Sequence, residues 1–394
     1  MTIEAPRLPQ DIWSTEPFSD TPLHVGRPNV GDTEAFLELA QGIFDRRILS
    51  NNGPLVRELE RQIERRLGVD HCVLMANGTV ALEIAIVATG MRGEVIVPSY
   101  TFVATAHAVR WLGLTPVFAD IDPETHTLSA DAARRRVTRA TGGIIGVHLW
   151  GQGADVGGIG ALASELNIPV IYDAAHSFDS MISGKKIGAF GNAEVFSFHA
   201  TKFFNTFEGG AVTTNDPQLA DRLRLMRNFG FDGEDSVIHL GTNAKMTEIC
   251  AAMGLINLQS IDAFVMRNRE NYRLYESVFS TIPFAKLLSI AELDESNAQY
   301  VVVEIQPEAP RTRDDIVTAL RAANVLARRY FWPGAHQMEP YRSLYPTADQ
   351  HLPNTREVAD RVVVLPTGTS VGAAEIQLIG DVFQRAFGMP GNRT

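Results

Sequence analysis

Apolar and polar positions along this chain fall into two alternating rhythms. Between residues 72 and 215, short apolar runs recur as CVLMA (72–76), EVIVPS (94–99), PVFADI (116–121), GIIGVHL (143–149), PVIYDAA (169–175), EVFSF (194–198) and GAVTT (210–214). Helix-like segments, for example Val80 to Thr89 and Ala104 to Leu112, separate most of the early ones. Apolar strands alternating with helices predict a mostly parallel sheet covered on both faces, an α/β architecture. Ligands of such sheets sit beyond the carboxyl ends of the strands. Asp173 falls there, and so does Asn77-Gly78-Thr79.

The flanks read differently. Residues 1 to about 30 are rich in Pro and polar residues and lack a period, which predicts an arm packed on the body or on a partner. Residues 33–48 and 55–67 read as helices; the second follows Asn52-Gly53-Pro54 and carries Leu55, Leu59, Ile63 and Leu67 at spacing four. Asp216-Pro217 reads as the cap and first residue of a helix through Met226, and residues 245–280 read as further long helices. Beyond about 282 the pattern changes to a strand at 300–306, a helix from about 312 to 323, an apolar run at 361–368 and a final helix from about 373 to 386. These make a smaller α+β domain. The expected division is an arm over 1–30, a large domain over 31–262 and a small C-terminal domain over 263–394.

Composition adds exclusions. The length of 394 residues suggests about two or three domains. A formal charge of −11 argues against a general nucleic-acid-binding role, which needs a basic face. Cys72 and Cys250 form no CxxC pair and read as buried free thiols. The start, MTIEAPRLPQDIWS, lacks a basic segment followed by an apolar run, so it is not a secretory signal. No run approaches the roughly 20 apolar residues of a membrane-crossing helix. A soluble cytoplasmic protein is expected. The histidines show no metal-ligand spacing, and no metal site is expected.

The chemistry concentrates in EVFSFHATKFFNTFEGGAVTTND (194–216) and VIYDAAH (170–176). Lys202 lies in a turn between two apolar runs, flanked by Phe198, His199, Phe203, Phe204 and Gly209-Gly210. An apolar setting disfavours the charged amine and makes it nucleophilic; a solvated loop lysine is the plainer alternative. Asp173 is a turn carboxylate or a buried anion able to keep a pyridine ring protonated. A nucleophilic amine and such a carboxylate are the two groups that an enzyme using pyridoxal phosphate (PLP) needs. Asn77-Gly78-Thr79 is a helix cap or a phosphate site at a helix N-terminus. Phe102 is a core residue or a ring stacked on a flat cofactor. His176 is a loop histidine or a neighbour of that cofactor. No GxxxxGK followed by Ser or Thr occurs, and no strand-linked GxGxxG, which counts against ATP or NAD.

In order and spacing, the segments NNGPLVRELE, ANGTVALEIA, GEVIVPSYTFVATAHAV, PVFADIDPETHTL, VHLWGQ, DAAHSF, FSFHATKFFNTFEGGAVTTND and GTNAKMTEICAAMG closely resemble the DegT-like nucleotide-sugar aminotransferases. The likeness runs from about residue 50 to 275 and recurs weakly to the end. It implies PLP fold type I, the aspartate-aminotransferase-like fold, and a homodimer with shared active sites. Lys202 matches the lysine that bonds to PLP and Asp173 the partner of the pyridine nitrogen. Phe102 matches the ring-stacking aromatic, and His176 a residue near the phenolic oxygen. Gly78, Thr79 and Ser197 match phosphate ligands, and Asn243 a phosphate ligand from the other subunit. Ala244-Lys245 departs from the Arg or Tyr often found there, and Glu208 has no assignable role.

The wording of GTNAKMTE and FHATKFFNTFEGG is most like the branch that aminates carbon 4 of dTDP-4-keto-6-deoxyglucose, with glutamate as the expected donor. The alternatives are a 3-keto-sugar aminotransferase, a PLP-dependent sugar dehydratase, which Lys202 argues against because such relatives carry histidine there, and a non-catalytic regulatory homologue. The segment RRYFWPGAH (328–336) reads equally as part of a sugar pocket or as a domain-interface loop.

Overall fold

The computed structural model describes residues 21–389. Its large sheet has seven strands: β1 (His71–Met75), β2 (Glu94–Pro98), β3 (Thr115–Ala119), β4 (Thr141–Val147), β5 (Val170–Asp173), β6 (Ala193–Ser197) and β7 (Gly210–Thr214). The order across the sheet is β1-β7-β6-β5-β4-β2-β3. β7 runs antiparallel to both its neighbours, and every other pairing is parallel. The expected mostly parallel sheet is therefore present with one reversed strand. A loop over residues 198–209 without a crossover helix joins β6 to β7, which returns antiparallel beside it. That loop carries Lys202.

The strands are apolar on both faces because helices cover both. Val73, Met75, Val95, Val97, Ile171 and Val212 pack with the helices Gly78–Ala88 and Ala104–Trp111 on one side. Cys72, Leu74, Phe196 and Ala211 pack with the helices Pro54–Leu67 and Glu248–Gln259 on the other. Helix starts follow their caps. Asn77 Oδ1 accepts from Val80 N, and Asp216 accepts from Gln218 N and Leu219 N ahead of Pro217. Cys72 is buried as expected, whereas Cys250 is only partly so, packed against the edge of the core; both thiols are free.

A second, antiparallel sheet of β8 (Ala285–Leu287), β9 (Val301–Ile305) and β10 (Val362–Leu365) stands against helices Ile261–Phe279, Arg313–Ala322 and Ala373–Ala386. The three-residue β8 and the helix Pro353–Arg361 escaped the sequence pattern, being too short to show a period. Helix Ile261–Phe279 belongs to both cores. Ile261, Phe264 and Val265 pack with the large sheet's cluster, and Tyr275 and Phe279 with the C-terminal one. Of the arm, residues 1–20 lie outside the described residues. Leu23–His24 pairs in parallel with Val325–Leu326, and the Asn29 carbonyl accepts from Asn205 Nδ2 at 2.9 Å. No single helix among the described residues is long and apolar enough to cross a membrane.

Buried Asp120, one residue past β3, fastens the second unit to the first. Its two oxygens accept from Asn354 N at 3.0 Å, Thr355 N at 2.8 Å and Thr355 Oγ1 at 2.8 Å, and so cap the helix Pro353–Arg361. Asp120→Ala leaves these donors unpaired and is expected to destabilise by about 2–4 kcal/mol. Chemical denaturation should show an earlier transition, with Asp120→Asn closer to wild type. A wild-type midpoint for Asp120→Ala would make the contact energetically neutral.

Candidate active site

Three carboxyl-end features converge at the middle of the large sheet. Gly210 of β7 lies opposite both Ser197 at the end of β6 and Met75 at the end of β1. This register presses the start of helix Gly78–Ala88 against β6 and β7. A Cβ on Gly78 would stand 2.8 Å from Ser197 Cβ, and one on Gly210 would stand 2.6 Å from the Asn77 carbonyl carbon. Both positions therefore need glycine. With Asn77 Oδ1 already capping Val80 N, the Gly78 and Thr79 amides open the helix N-terminus beside the Ser197 hydroxyl. That hydroxyl has no hydrogen-bond partner among the described residues. Exposed backbone N–H groups at a helix start attract anions.

Asp173 ends β5. Its Oδ2 accepts from Thr105 Oγ1 at 2.9 Å and its Oδ1 from Ala175 N at 3.1 Å. Burial pushes this carboxyl up, against the pull of those two donors and of Lys202 and His148. Lys202 keeps partial solvent access. Its turn is fixed by a bond from its own amide to the His199 carbonyl at 2.8 Å. The amine reaches the Tyr300 hydroxyl at 3.3 Å. Dense protein around it depresses the amine to about 8, partly offset by Asp173 and Tyr330. The apolar setting expected of this lysine is present.

His176 is buried, and its Nδ1 has no hydrogen-bond partner among the described residues. Burial, and the charge of Lys202, hold the imidazole neutral. Its ring lies 4.4 Å from that of Tyr300, 5.7 Å from Trp150 and 5.9 Å from Phe331, counted between centroids. Phe102 is not a core residue: it is 57% exposed, because the turn after β2 carries it past the end of the sheet. Asn243 is exposed beside the sheet's edge. The neighbouring Ala244 carbonyl accepts from Ala76 N at 2.8 Å, and Lys245 bridges to Met75. No hydrogen bond or ring contact joins Asn243 to Lys202, Asp173 or Ser197. Glu208 is exposed and approaches His199 Nε2 at 3.5 Å.

Some residues here went unassigned from the sequence. Thr105 stood in a quoted segment without a role, and nothing local marks it as Asp173's partner. Trp150 stood in a quoted segment and Tyr300 at the start of a predicted strand, both without a role. The segment 328–336 sits at the interface between the two units, the second of the two readings of it. Phe331 stacks on Trp150 at 5.4 Å and the Tyr330 carbonyl accepts from Tyr100 Oη at 2.6 Å, tying the two sheets together. Tyr330 also lies close enough to influence the Lys202 charge.

Residues 31–384 match the model of the DegT/DnrJ/EryC1/StrS aminotransferase family. The chain belongs to this family. It is accordingly a PLP-dependent aminotransferase. It is 34% identical to the dTDP-4-amino-4,6-dideoxy-D-glucose transaminase of Shigella dysenteriae over 91% of this chain and 98% of that one. It is 32% identical to the GDP-perosamine synthase of Escherichia coli O157:H7 over 86% and 92% of the two chains. The crystal structure of DesI with its TDP-sugar product superposes with a TM-score of 0.90 at 42% identity, covering 96% of each chain.

The residues of this aminotransferase fit its cofactor. PLP is a flat, phosphorylated pyridine with an aldehyde. The site offers a depressed amine, a half-buried carboxylate held by two donors, an unpaired buried imidazole nitrogen, an exposed ring and an anion-ready helix start. In cofactor-free protein the Lys202 amine should half-deprotonate near pH 8, against about 10.4 for an unperturbed lysine. Because burial lowers the value, the free amine dominates above pH 8, where an ordinary lysine is still charged. Reductive methylation of the Lys202 peptide, followed against pH by mass spectrometry, measures this. A midpoint above about 10 would contradict the desolvated site.

Proposed function

We propose that this enzyme moves the amino group of glutamate to carbon 4 of dTDP-4-keto-6-deoxyglucose, in deoxyaminosugar biosynthesis. The observation that carries the reading is the full-length similarity to two transaminases named for dTDP-4-amino-4,6-dideoxy-D-glucose, at 34% and 33% identity. The likeness to DesI with its TDP-sugar product supports the same nucleotide class. The GDP-perosamine synthases make a GDP-linked sugar the competing substrate. A panel of keto-sugar nucleotides incubated with glutamate and read by mass spectrometry separates these. A product aminated only on GDP-linked or 3-keto sugars would overturn the proposal.

Each site residue has a part in this reading. PLP, when bound, supplies an aldehyde that exchanges amino groups and a ring that withdraws electrons. Lys202 bonds to it at rest. Once free, the Lys202 amine would take the proton from the donor's α carbon and deliver it to the cofactor. An amine depressed to about 8 can do both near neutral pH. Asp173, both oxygens held by donors, keeps a proton on the pyridine nitrogen. Phe102 would stack on the ring, and His176 would flank it. Gly78 and Thr79 amides and the Ser197 hydroxyl receive the phosphate. The domain division is residues 31–262 for cofactor binding and 263–394 for the small domain, with the arm before them. The enzyme works in the cytoplasm.

Two substitutions test the roles. Lys202→Ala should fold, yet lose the visible absorbance of lysine-bound cofactor and all but background transamination; wild-type turnover would refute the role. Asp173→Asn cannot supply the charge that keeps the ring nitrogen protonated. It should retain cofactor while losing roughly a hundredfold or more in kcat, the rate equivalent of a few kcal/mol. An unchanged rate would leave the carboxylate only structural.

The working unit is proposed to be a homodimer in which each site borrows Asn243 from its partner. Asn243 is exposed and makes no hydrogen bond to another site residue among the described residues, which supports a role elsewhere. In a two-fold dimer both sites would be completed together. Mixing Lys202→Ala chains with Asn243→Ala chains then places both defects in one site of each heterodimer. The other site stays intact, and activity should return toward about half of wild type per heterodimer. Exchanged mixtures that stay inactive would show that Asn243 serves its own subunit.

A further inference from the structure

Tyr300 lies outside the motif segments that first pointed to the site. It immediately precedes β9 of the C-terminal sheet, is 6% exposed, and points its hydroxyl at the Lys202 amine, 3.3 Å away. The groups facing that amine are Asp173 from the large sheet, Tyr330 from the 328–336 segment, His176 and Tyr300. Only Tyr300 hydrogen-bonds to it among the described residues; Asp173's oxygens are engaged by Thr105 and Ala175. The Tyr300 ring is fixed edge-on to Trp150 at 5.5 Å and against His176 at 4.4 Å, so the hydroxyl cannot swing away without breaking the aromatic cluster.

We propose that Tyr300 is a positioning residue that holds the Lys202 amine through its phenolic oxygen whenever that amine is not bonded to the cofactor. A phenol serves both forms of the amine. Its oxygen accepts from the ammonium, and its O–H donates to the free amine. Burial keeps the phenol itself protonated across the working range. The amine thus waits in one place in either protonation state, which proton transfer at a carbon centre requires. The inference rests on the Lys202 role proposed above.

The test uses Tyr300→Phe, which keeps the ring and removes the oxygen. A hydrogen bond to a charged donor is stronger than one to a neutral donor, so the hydroxyl favours the ammonium. Its removal should move the Lys202 methylation midpoint in cofactor-free protein to lower pH than in wild type. In the loaded enzyme kcat should fall about tenfold, the rate worth of one such bond, with KM for glutamate near wild type and full cofactor occupancy on Lys202. Both readouts must move; a wild-type midpoint or a wild-type kcat overturns the proposal. Tyr300→Leu, which also removes the ring, controls for packing. If Tyr300→Leu fails while Tyr300→Phe matches wild type, the ring alone matters and the hydroxyl has no part. Lys202→Ala at the wild-type rate would instead remove the reading of Lys202 on which the proposal stands.

Discussion

An amine and a carboxylate, each half-buried at the carboxyl edge of one sheet, set the conditions for everything else in this fold. Burial pushes Asp173 toward its neutral form and Lys202 toward its free amine, while each charge partly restores the other. Leaving either group without partners in such a setting would cost several kcal/mol. Around them the backbone and side chains supply the compensation: Thr105 and Ala175 for the carboxylate, Tyr300 for the amine. One reversed strand makes this arrangement possible. Because β7 returns antiparallel from β6, the lysine's turn stays at the same edge as the end of β5.

Beneath the site the same sheet holds a second buried pair. His148 accepts from Ala154 N at Nδ1, so its Nε2 carries the proton and donates to Glu194 Oε1 at 2.6 Å. Phe190 N closes the other carboxylate oxygen at 2.9 Å. Glu194 lies in register with Tyr172, whose ring stacks on His148 at 4.8 Å, directly before Asp173. A satisfied polar pair of this kind favours one arrangement of β5 against β6 and so fixes where Asp173 ends.

The C-terminal unit is more than a scaffold. Phe331 and Tyr300 join Tyr100, Trp150 and His176 in one aromatic cluster between the two sheets. That cluster walls one side of the lysine's surroundings, and Asp120 and Thr355 hold the two units together beside it. The packing that joins the units and the packing that shapes the site are therefore largely the same contacts.

The sequence by itself determined the alternation that made an α/β sheet, the strand ends at Asp173 and Ser197, the capped helix start at Asn77, and the lysine turn. These are local, since a two-residue or four-residue period and a cap show in any short window. Its ordered motifs also carried the family and the cofactor. Tertiary structure alone decided that Phe102 stands in solvent, that Thr105 serves Asp173, and that Tyr300 reaches Lys202 from 98 residues away. It also decided the glycine requirement at positions 78 and 210, which arises only when β1, β6 and β7 come into register. Such facts depend on which distant segments meet, and a chain met one residue after another does not contain that information in any local pattern.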